Sequence, residues 1–445
     1  MTKGNYKILK NSTFGRYMVA GKSIKAGELI LSEKPTLLGP QLDGPMICFN
    51  CCRHLRNVKY IFCEKCKTAV ICGPKCTGYL HNPEECSALK DTNINEVLVE
   101  NDQIIFPLRC LYLEAALMAH DCVGNAHLSV DDDFVLTIHA SVDISENSLI
   151  FFNYANVLQL GTDLSSLKCH KCRKGLIRSK EIENVKSDWE CSACKHLFRC
   201  CLINSTTREG QRRIEEVDPT NITELENLLK KMLQTFHPNN YLILELQQNM
   251  LGLYVRLPHN KKNLTRKITL CQRMLEVFAK LEPGLSRIKA ITLHELQSAL
   301  VDLAHKQYRD KEINAEELIV KLLTAETPLK EAIKHLLYEP SKSPEGRLAQ
   351  TALSELKVLR MSINDIQRDL LSIGSEPKNN RKLSNKMKNN EIKSGVSNKM
   401  KNNEIKSGVS SVTNVQKDIE IQNNVNNLVS TVKKSSRRKR NKNKK

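Results

Sequence analysis

The stretch from Cys48 to Cys86 limits what this chain can fold into more than any other. It contains Cys48, Cys51, Cys63, Cys66, Cys72, Cys76, His81 and Cys86. Eight thiolate and imidazole groups are what two closed tetrahedral zinc sites require. Two cysteines with two residues between them can grip one ion from a single tight turn. The staggered order implies interleaved sites, with Cys48, Cys51, Cys72 and Cys76 on one ion and Cys63, Cys66, His81 and Cys86 on the other. Disulfide frameworks belong to secreted chains, whereas this sequence starts Met-Thr-Lys-Gly-Asn-Tyr, with no apolar signal segment. Cys52 is left over and is expected to have no ligand role.

A second cluster follows. Cys169 and Cys172 are answered, after eighteen residues, by Cys191 and Cys194. That is the spacing of a zinc ribbon built from paired knuckles, and it brings the expected zinc count to three. His170, between two ligands, reads as a solvated neighbour, and the adjacent Cys200 and Cys201 read as structural. Seventeen cysteines in such a chain point to zinc in a reducing compartment. No apolar run approaches the ~20 residues of a membrane span, so no membrane partner is expected. A length of 445 residues allows two to four units.

The net charge of +19 has to be located before it is interpreted. From Glu376 onward there are nineteen Lys/Arg against five Asp/Glu, so +14 belongs to the tail and only about +5 to the body. The folded part therefore need not bind nucleic acid. The zinc spacings also differ from the two-Cys, two-His finger that carries a recognition helix. Within the tail, Asn385–Ser397 repeats without change as Asn398–Ser410. Polar low complexity without aromatic residues reads as disorder over 372–445. The closing block, from Lys433 to Lys445, reads as a nuclear address or as an arm that holds phosphate without sequence preference.

The order of the Cys48–Cys86 ligands resembles a MYND-type zinc finger, except that four residues separate His81 from Cys86 where that family has three. The flanking sequence resembles a SET domain split by such a finger. Ahead of it stand Gly15-Arg16-Tyr17 and the run Ile24-Lys25-Ala26-Gly27-Glu28-Leu29-Ile30-Leu31, read as strands and turns. Behind it, Ala119-His120-Asp121-Cys122-Val123-Gly124-Asn125 is similar to the signature Asn-His-Ser-Cys-x-Pro-Asn. Strands are expected at Phe134–His139 and Leu149–Phe152, followed by Asn153-Tyr154. His120, Cys122 and Asn125 match the signature, while Ala119, Asp121 and Gly124 depart from it.

The resemblance implies a protein-lysine methyltransferase of the SET-and-MYND family, insect-type branch. Arg16, His120 and Asn125 would serve S-adenosylmethionine, and Tyr154 would be the catalytic residue that orients the lysine amine. It further implies histones or other proteins as substrates, peptide partners and corepressors bound through the finger, and a place in nucleus and cytoplasm. The insert between Cys86 and Leu111 is shorter than in that family, and the cysteines that normally follow the signature tyrosine are missing. A second reading therefore stays open, that of an inactive adaptor recruiting partners through its zinc finger.

From Asp218 to Leu371 the pattern turns helical. Leu225, Leu228, Leu229, Met232 and Leu233 form an apolar stripe. Breaks are expected at His237-Pro238, Leu257-Pro258, Pro283-Gly284 and Thr327-Pro328. His237 reads as a helix-boundary residue. The expected class is α+β multidomain: SET opening strands at 1–47, the finger at 48–86, a shortened SET core at 87–165, a zinc ribbon at 166–200, a helical array at 218–371, then the tail.

Overall fold

The computed structural model describes residues 4–374 apart from 41–46, 54, 56–58, 79, 91–107, 155–165, 182–183 and 185. The basic tail with its tandem repeat lies outside the described residues. What is described is mixed α+β: small sheets first, then an array of helices.

Strands β1 (Tyr6–Asn11) and β2 (Gly15–Ala20) form a hairpin in register from Tyr6↔Ala20 to Asn11↔Gly15. Its turn is set by Asn11, whose Oδ1 accepts from the N–H groups of Thr13 and Phe14. Next come β3 (Leu29–Glu33) and β4 (Leu37–Pro40), followed by the cysteine-rich module with its small ribbon β5 (Ile61–Phe62) and β6 (Val70–Ile71) and helix α1 (Pro83–Lys90). The chain returns in β7 (Leu108–Leu111), which pairs antiparallel with β4 from Leu37↔Leu111 to Pro40↔Leu108. The module is thus an insertion whose two ends are tied together by one ladder.

After the insertion the sheet region is completed by β8 (Ala119–His120), β9 (Ala126–Val130), β10 (Leu136–Ala140) and β11 (Phe151–Phe152). β10 pairs with both β3 and β9, and β8 runs parallel to β11. Alternation places Leu136, Ile138 and Ala140 on the buried face, with Met18, Ile24, Ile30, Met118 and Ile150 packed around them.

The ribbon is an antiparallel meander of β12 (Leu167–Lys168), β13 (Leu176–Ser179), β14 (Trp189–Cys191) and β15 (Leu197–Phe198). A helix already starts at Cys200, ahead of the expected 218: α2 (Cys200–Glu216). It is followed by α3 (Ile222–Met232), α4 (Tyr241–Tyr254), α5 (Lys261–Leu281), α6 (Arg287–Arg309), α7 (Ala315–Leu336) and α8 (Pro344–Gly374). Asn221, Asn240, Asn260, Ser286 and Asn314 cap the N-termini of α3 to α7 in that order. Each accepts from a main-chain N–H of the first turn, and Asn314 closes a capping box with Glu317.

The stripe residues Leu225, Leu228, Leu229 and Met232 are buried. They share one core with Leu167, Ile177, Cys191 and Phe198 of the ribbon, so ribbon and helices form one packed body. His237 sits at the α3–α4 boundary, where its Nδ1 accepts from the N–H of Asn239. Pro328, expected to end a helix, lies inside α7 instead. The lost hydrogen bond is outweighed by burial on both sides of it, at Leu322, Ala325, Leu329, Ala332 and Ile333.

The helices also close onto the sheet region. Arg287 of α6 donates from Nε and Nη2 to the Glu339 carboxylate, with bonds of 3.0 and 2.7 Å. His127 of β9 meets the same carboxylate through Nε2 at 2.9 Å. At the α5–α6 turn the N–H of Leu285 donates to the Ser141 carbonyl. Gly284 has φ +77 there, and a Cβ on it would fall on that carbonyl. Among the described residues no helix is long and apolar enough to cross a membrane.

Candidate metal centres and methyl-transfer site

Four Cys-x-x-Cys turns adopt one shape. In each, the N–H of the fifth residue donates to the carbonyl of the first: Cys52 to Cys48, Lys67 to Cys63, Arg173 to Cys169 and Lys195 to Cys191, at 2.8–3.1 Å. All four of those donors have positive φ, between 56° and 59°. Cys52, the spare thiol, is thus the corner of a knuckle. The turn also aims main-chain N–H groups at sulfur: Ala69 to Cys66 at 3.3 Å, Gly175 to Cys172 at 3.4 Å and Cys194 to Cys191 at 3.5 Å. Hydrogen bonds to sulfur favour thiolate, the form that binds metal. The N–H groups of Cys66 and then Lys65 hold Cys63 down to about 6. Those of Lys174 and Gly175 hold Cys172 down to about 6.

The ligand atoms gather into three groups: Cys48, Cys51, Cys72 and Cys76; Cys63, Cys66, His81 and Cys86; Cys169, Cys172, Cys191 and Cys194. In each, all four atoms lie within 4.8 Å of one another. Sulfur pairs stand 3.7–3.8 Å apart, as in Cys48–Cys76, Cys51–Cys72, Cys63–Cys86, Cys169–Cys194 and Cys172–Cys191. A zinc–sulfur bond of ~2.3 Å gives a tetrahedral edge of roughly 3.8 Å, so these spacings fit zinc. They are far beyond the ~2.05 Å of a disulfide. The three clusters could bind three zinc ions.

His81 joins its group through Nε2, 3.7 Å from Cys66 Sγ. Its Nδ1 lies 2.7 Å from Oε2 of Glu85. A carboxylate behind a ligating imidazole fixes the ring and raises its basicity. Sequence reading missed Glu85, although its place four residues after His81 in a Pro-Glu-Glu helix start is a local signal. The extra residue between His81 and Cys86 is absorbed there, because the N–H of Cys86 donates to the Asn82 carbonyl as α1 begins.

The second constellation lies where Ala119–Asn125 runs beside Leu149–Tyr154. Asn125 clamps this crossing. Its Nδ2 donates to the Leu149 carbonyl at 2.9 Å, and its Oδ1 accepts from the N–H of Phe151 at 2.7 Å. The N–H of Tyr154 donates to Nδ1 of His120 at 3.1 Å, and the two rings stand 5.4 Å apart. The Tyr154 hydroxyl donates to the Met118 carbonyl. Both side chains are open to solvent. A cleft of about 780 Å³ lies alongside. Tyr112, Met118, Phe152 and Tyr154 wall it from the sheet side, and Arg287 and Glu339 from the helical side. A second cleft of about 440 Å³ lies between Gly124–Leu128 and the α5–α6 turn. Arg16 is exposed on β2, opposite Lys10. Arg16, His120 and Asn125 are on the wall of neither cleft.

The comparisons with known proteins point the same way as this arrangement. SET domain-containing protein SmydA-8, isoform A, of Drosophila melanogaster is 20% identical over 224 residues, 43% of this chain and 48% of the relative. Histone-lysine N-methyltransferase ASHR2 of Arabidopsis thaliana is 32% identical over 94 residues, 20% of this chain and 23% of the relative. The chain resembles the SET-and-MYND proteins. No protein-family profile matches it. It spans about half the length of SmydA-8 and under a quarter of ASHR2. In SET-and-MYND terms, the inserted module supplies two of the three metal groups, and the crossing around Asn125 supplies the His120–Tyr154 pair.

Proposed function

We propose that the chain is a SET-and-MYND-type protein-lysine methyltransferase homologue. It would act on histones or other proteins, hold three zinc ions and work in chromatin and transcriptional regulation in nucleus and cytoplasm. The observation that carries this reading is the state of the Tyr154 hydroxyl. Its proton is spent on the Met118 carbonyl, which leaves the oxygen lone pairs as acceptors at the edge of the cleft. An acceptor so placed can orient the N–H of a neutral lysine amine and stabilise the charge that grows on that nitrogen. S-adenosylmethionine, when bound, supplies a methyl group already activated on a sulfonium. Arg16, His120 and Asn125 are assigned to its side of the site by resemblance. For Asn125 the support is indirect, since both ends of its amide hold backbone and its part is to position the strand crossing. Tyr154→Phe keeps the ring and loses the hydroxyl. Transfer of labelled methyl groups to mixed histones by the zinc-loaded chain, with this variant beside it, tests the reading. Equal transfer by both would overturn it.

A second reading has its own observation. None of the three cofactor candidates lines either cleft. An adaptor that recruits peptides or corepressors through its zinc finger, with the SET region as scaffold, needs no cofactor wall. The basic tail would then serve as a nuclear address or as a weak, unspecific arm for nucleic acid.

A further inference from the structure

From Lys168 to Lys180 the chain carries six Lys/Arg and no Asp or Glu. This run contains the first knuckle of the ribbon, and the knuckle decides where its cations go. Cys169 and Cys172 turn toward the ligand group, while Lys171, Arg173 and Lys174 are exposed. The facing knuckle, Cys191–Cys194, comes close enough for Lys171 Nζ to donate to Nδ1 of His196 at 3.1 Å. Lys168 is engaged elsewhere, on the Leu233 carbonyl. On the neighbouring helix α2, Arg212 and Arg213 are neutralised by Glu209 and Glu216, and on the second knuckle Lys195 is met by Glu190. Lys171, Arg173 and Lys174 have no carboxylate partner among the described residues. Three unneutralised cations within four positions, on turns that the ligand group holds fixed, form a local positive edge. Beside it the exposed His170 ring stands edge-on to Phe198, with centroids 5.1 Å apart.

We propose that this edge of the zinc ribbon binds the phosphodiester backbone of nucleic acid without reading its sequence. A row of cations on a rigid turn suits a polymer that offers a charge every few ångströms, and the flat His170 ring beside the row can stack on an unpaired base. The exposed side chains of this edge are cations, which suit contacts to phosphate rather than to base edges. The inference is independent of methyl transfer.

The test uses the full zinc-loaded chain and a fluorescein-labelled 20-nucleotide single-stranded DNA of mixed sequence, followed by anisotropy from 50 to 200 mM salt. Lys171→Glu/Arg173→Asn/Lys174→Glu removes the edge and spares the metal ligands, and asparagine suits the positive φ of Arg173 (56°). Lys280→Gln/Lys321→Glu/Lys357→Glu on the exposed helical surface makes the same change in net charge and serves as the control. Each phosphate contact contributes ~0.7 to the log–log salt slope, so losing three should make it shallower by about 2. Affinity at 50 mM should fall at least about tenfold, with the control near wild type and zinc content unchanged in both. The basic tail contributes equally to all three proteins, so it cancels. Unchanged affinity and slope in the ribbon variant would overturn the proposal. So would a loss of binding to a poly-glutamate peptide with DNA binding intact, which would assign the edge to an acidic protein partner.

Discussion

The main-chain N–H of Tyr154 donates to Nδ1 of His120 across 3.1 Å, although the two lie 34 positions apart. This bond sets the imidazole in the tautomer that carries its proton on Nε2. It also fixes the backbone from which the tyrosine ring reaches Met118. Because the pair is exposed, His120→Ala should cost only about 1 kcal/mol of stability. Misplacing a reacting group is far more costly to rate, so methyl transfer should fall by ten- to a hundredfold. Thermal unfolding and single-turnover transfer, measured on the same samples, separate the two effects. Unaltered transfer would mean that Tyr154 is placed by other contacts.

The ribbon's metal group and the Cys48, Cys51, Cys72 and Cys76 group should differ in what their loss does. Cys191 is fully buried in the core shared by the ribbon, α2, α3 and α4. Cys191→Ser should remove one zinc and lower the main unfolding transition. Cys48, Cys51, Cys72 and Cys76 build a small core of their own with Leu55, Val70 and Ile71. Cys72→Ser should likewise remove one zinc, yet leave helical circular dichroism and the main transition near wild type. Metal analysis and calorimetry of both variants check this. Fewer than three zinc ions in the wild-type chain would contradict the assignment.

How far the sequence carried the reading depends on the range of the interaction. The cysteine knuckles were legible because a Cys-x-x-Cys turn is a local event, and the stripe from Leu225 to Met232 was legible because one helix face is a local pattern. Pro328 was misread because the burial of Leu322, Ala325, Leu329 and Ala332, before and after it in α7, is invisible in a Thr-Pro dipeptide. The start of α2 at Cys200 was missed because Cys-Cys-Leu-Ile-Asn-Ser-Thr-Thr carries no strong helix formers beyond leucine; packing of Ile203 and Gly210 holds it. The pairing of His127 with Glu339, 212 positions away, has no sequence signal at all.

That pairing gives a third prediction. Burial disfavours the Glu339 carboxylate, yet the hydrogen bonds from His127 and Arg287 outweigh it and hold its pKa below the usual range. Glu339→Ala leaves Arg287 and His127 facing each other and should cost roughly 3 kcal/mol. Glu339→Ala with Arg287→Ala should cost less than the two single changes summed, by about 1 kcal/mol or more. Denaturant unfolding of the four proteins measures the coupling, and simple additivity would contradict it.

Acid should weaken the fold through buried histidines. Burial, with Lys289 nearby, pushes His335 down to about 4. Burial, with His127 nearby, does the same to His139. Above the ordinary value of ~6.5 both folded and unfolded states are neutral and nothing is lost. Between roughly 6.5 and 4 the unfolded chain takes up protons that the folded one refuses, so stability falls with pH. His335→Gln should shrink the loss between pH 7 and pH 5 by up to about 2 kcal/mol. An unchanged pH profile would place the acid sensitivity elsewhere.

The most direct measurement for the account as a whole is calorimetric titration of S-adenosylmethionine into the zinc-loaded full chain. The account expects binding in the micromolar range, and Tyr154→Phe should bind comparably while failing to transfer a methyl group. A folded chain with three zinc ions that takes up no S-adenosylmethionine would contradict the methyltransferase reading and leave the zinc-finger adaptor in its place.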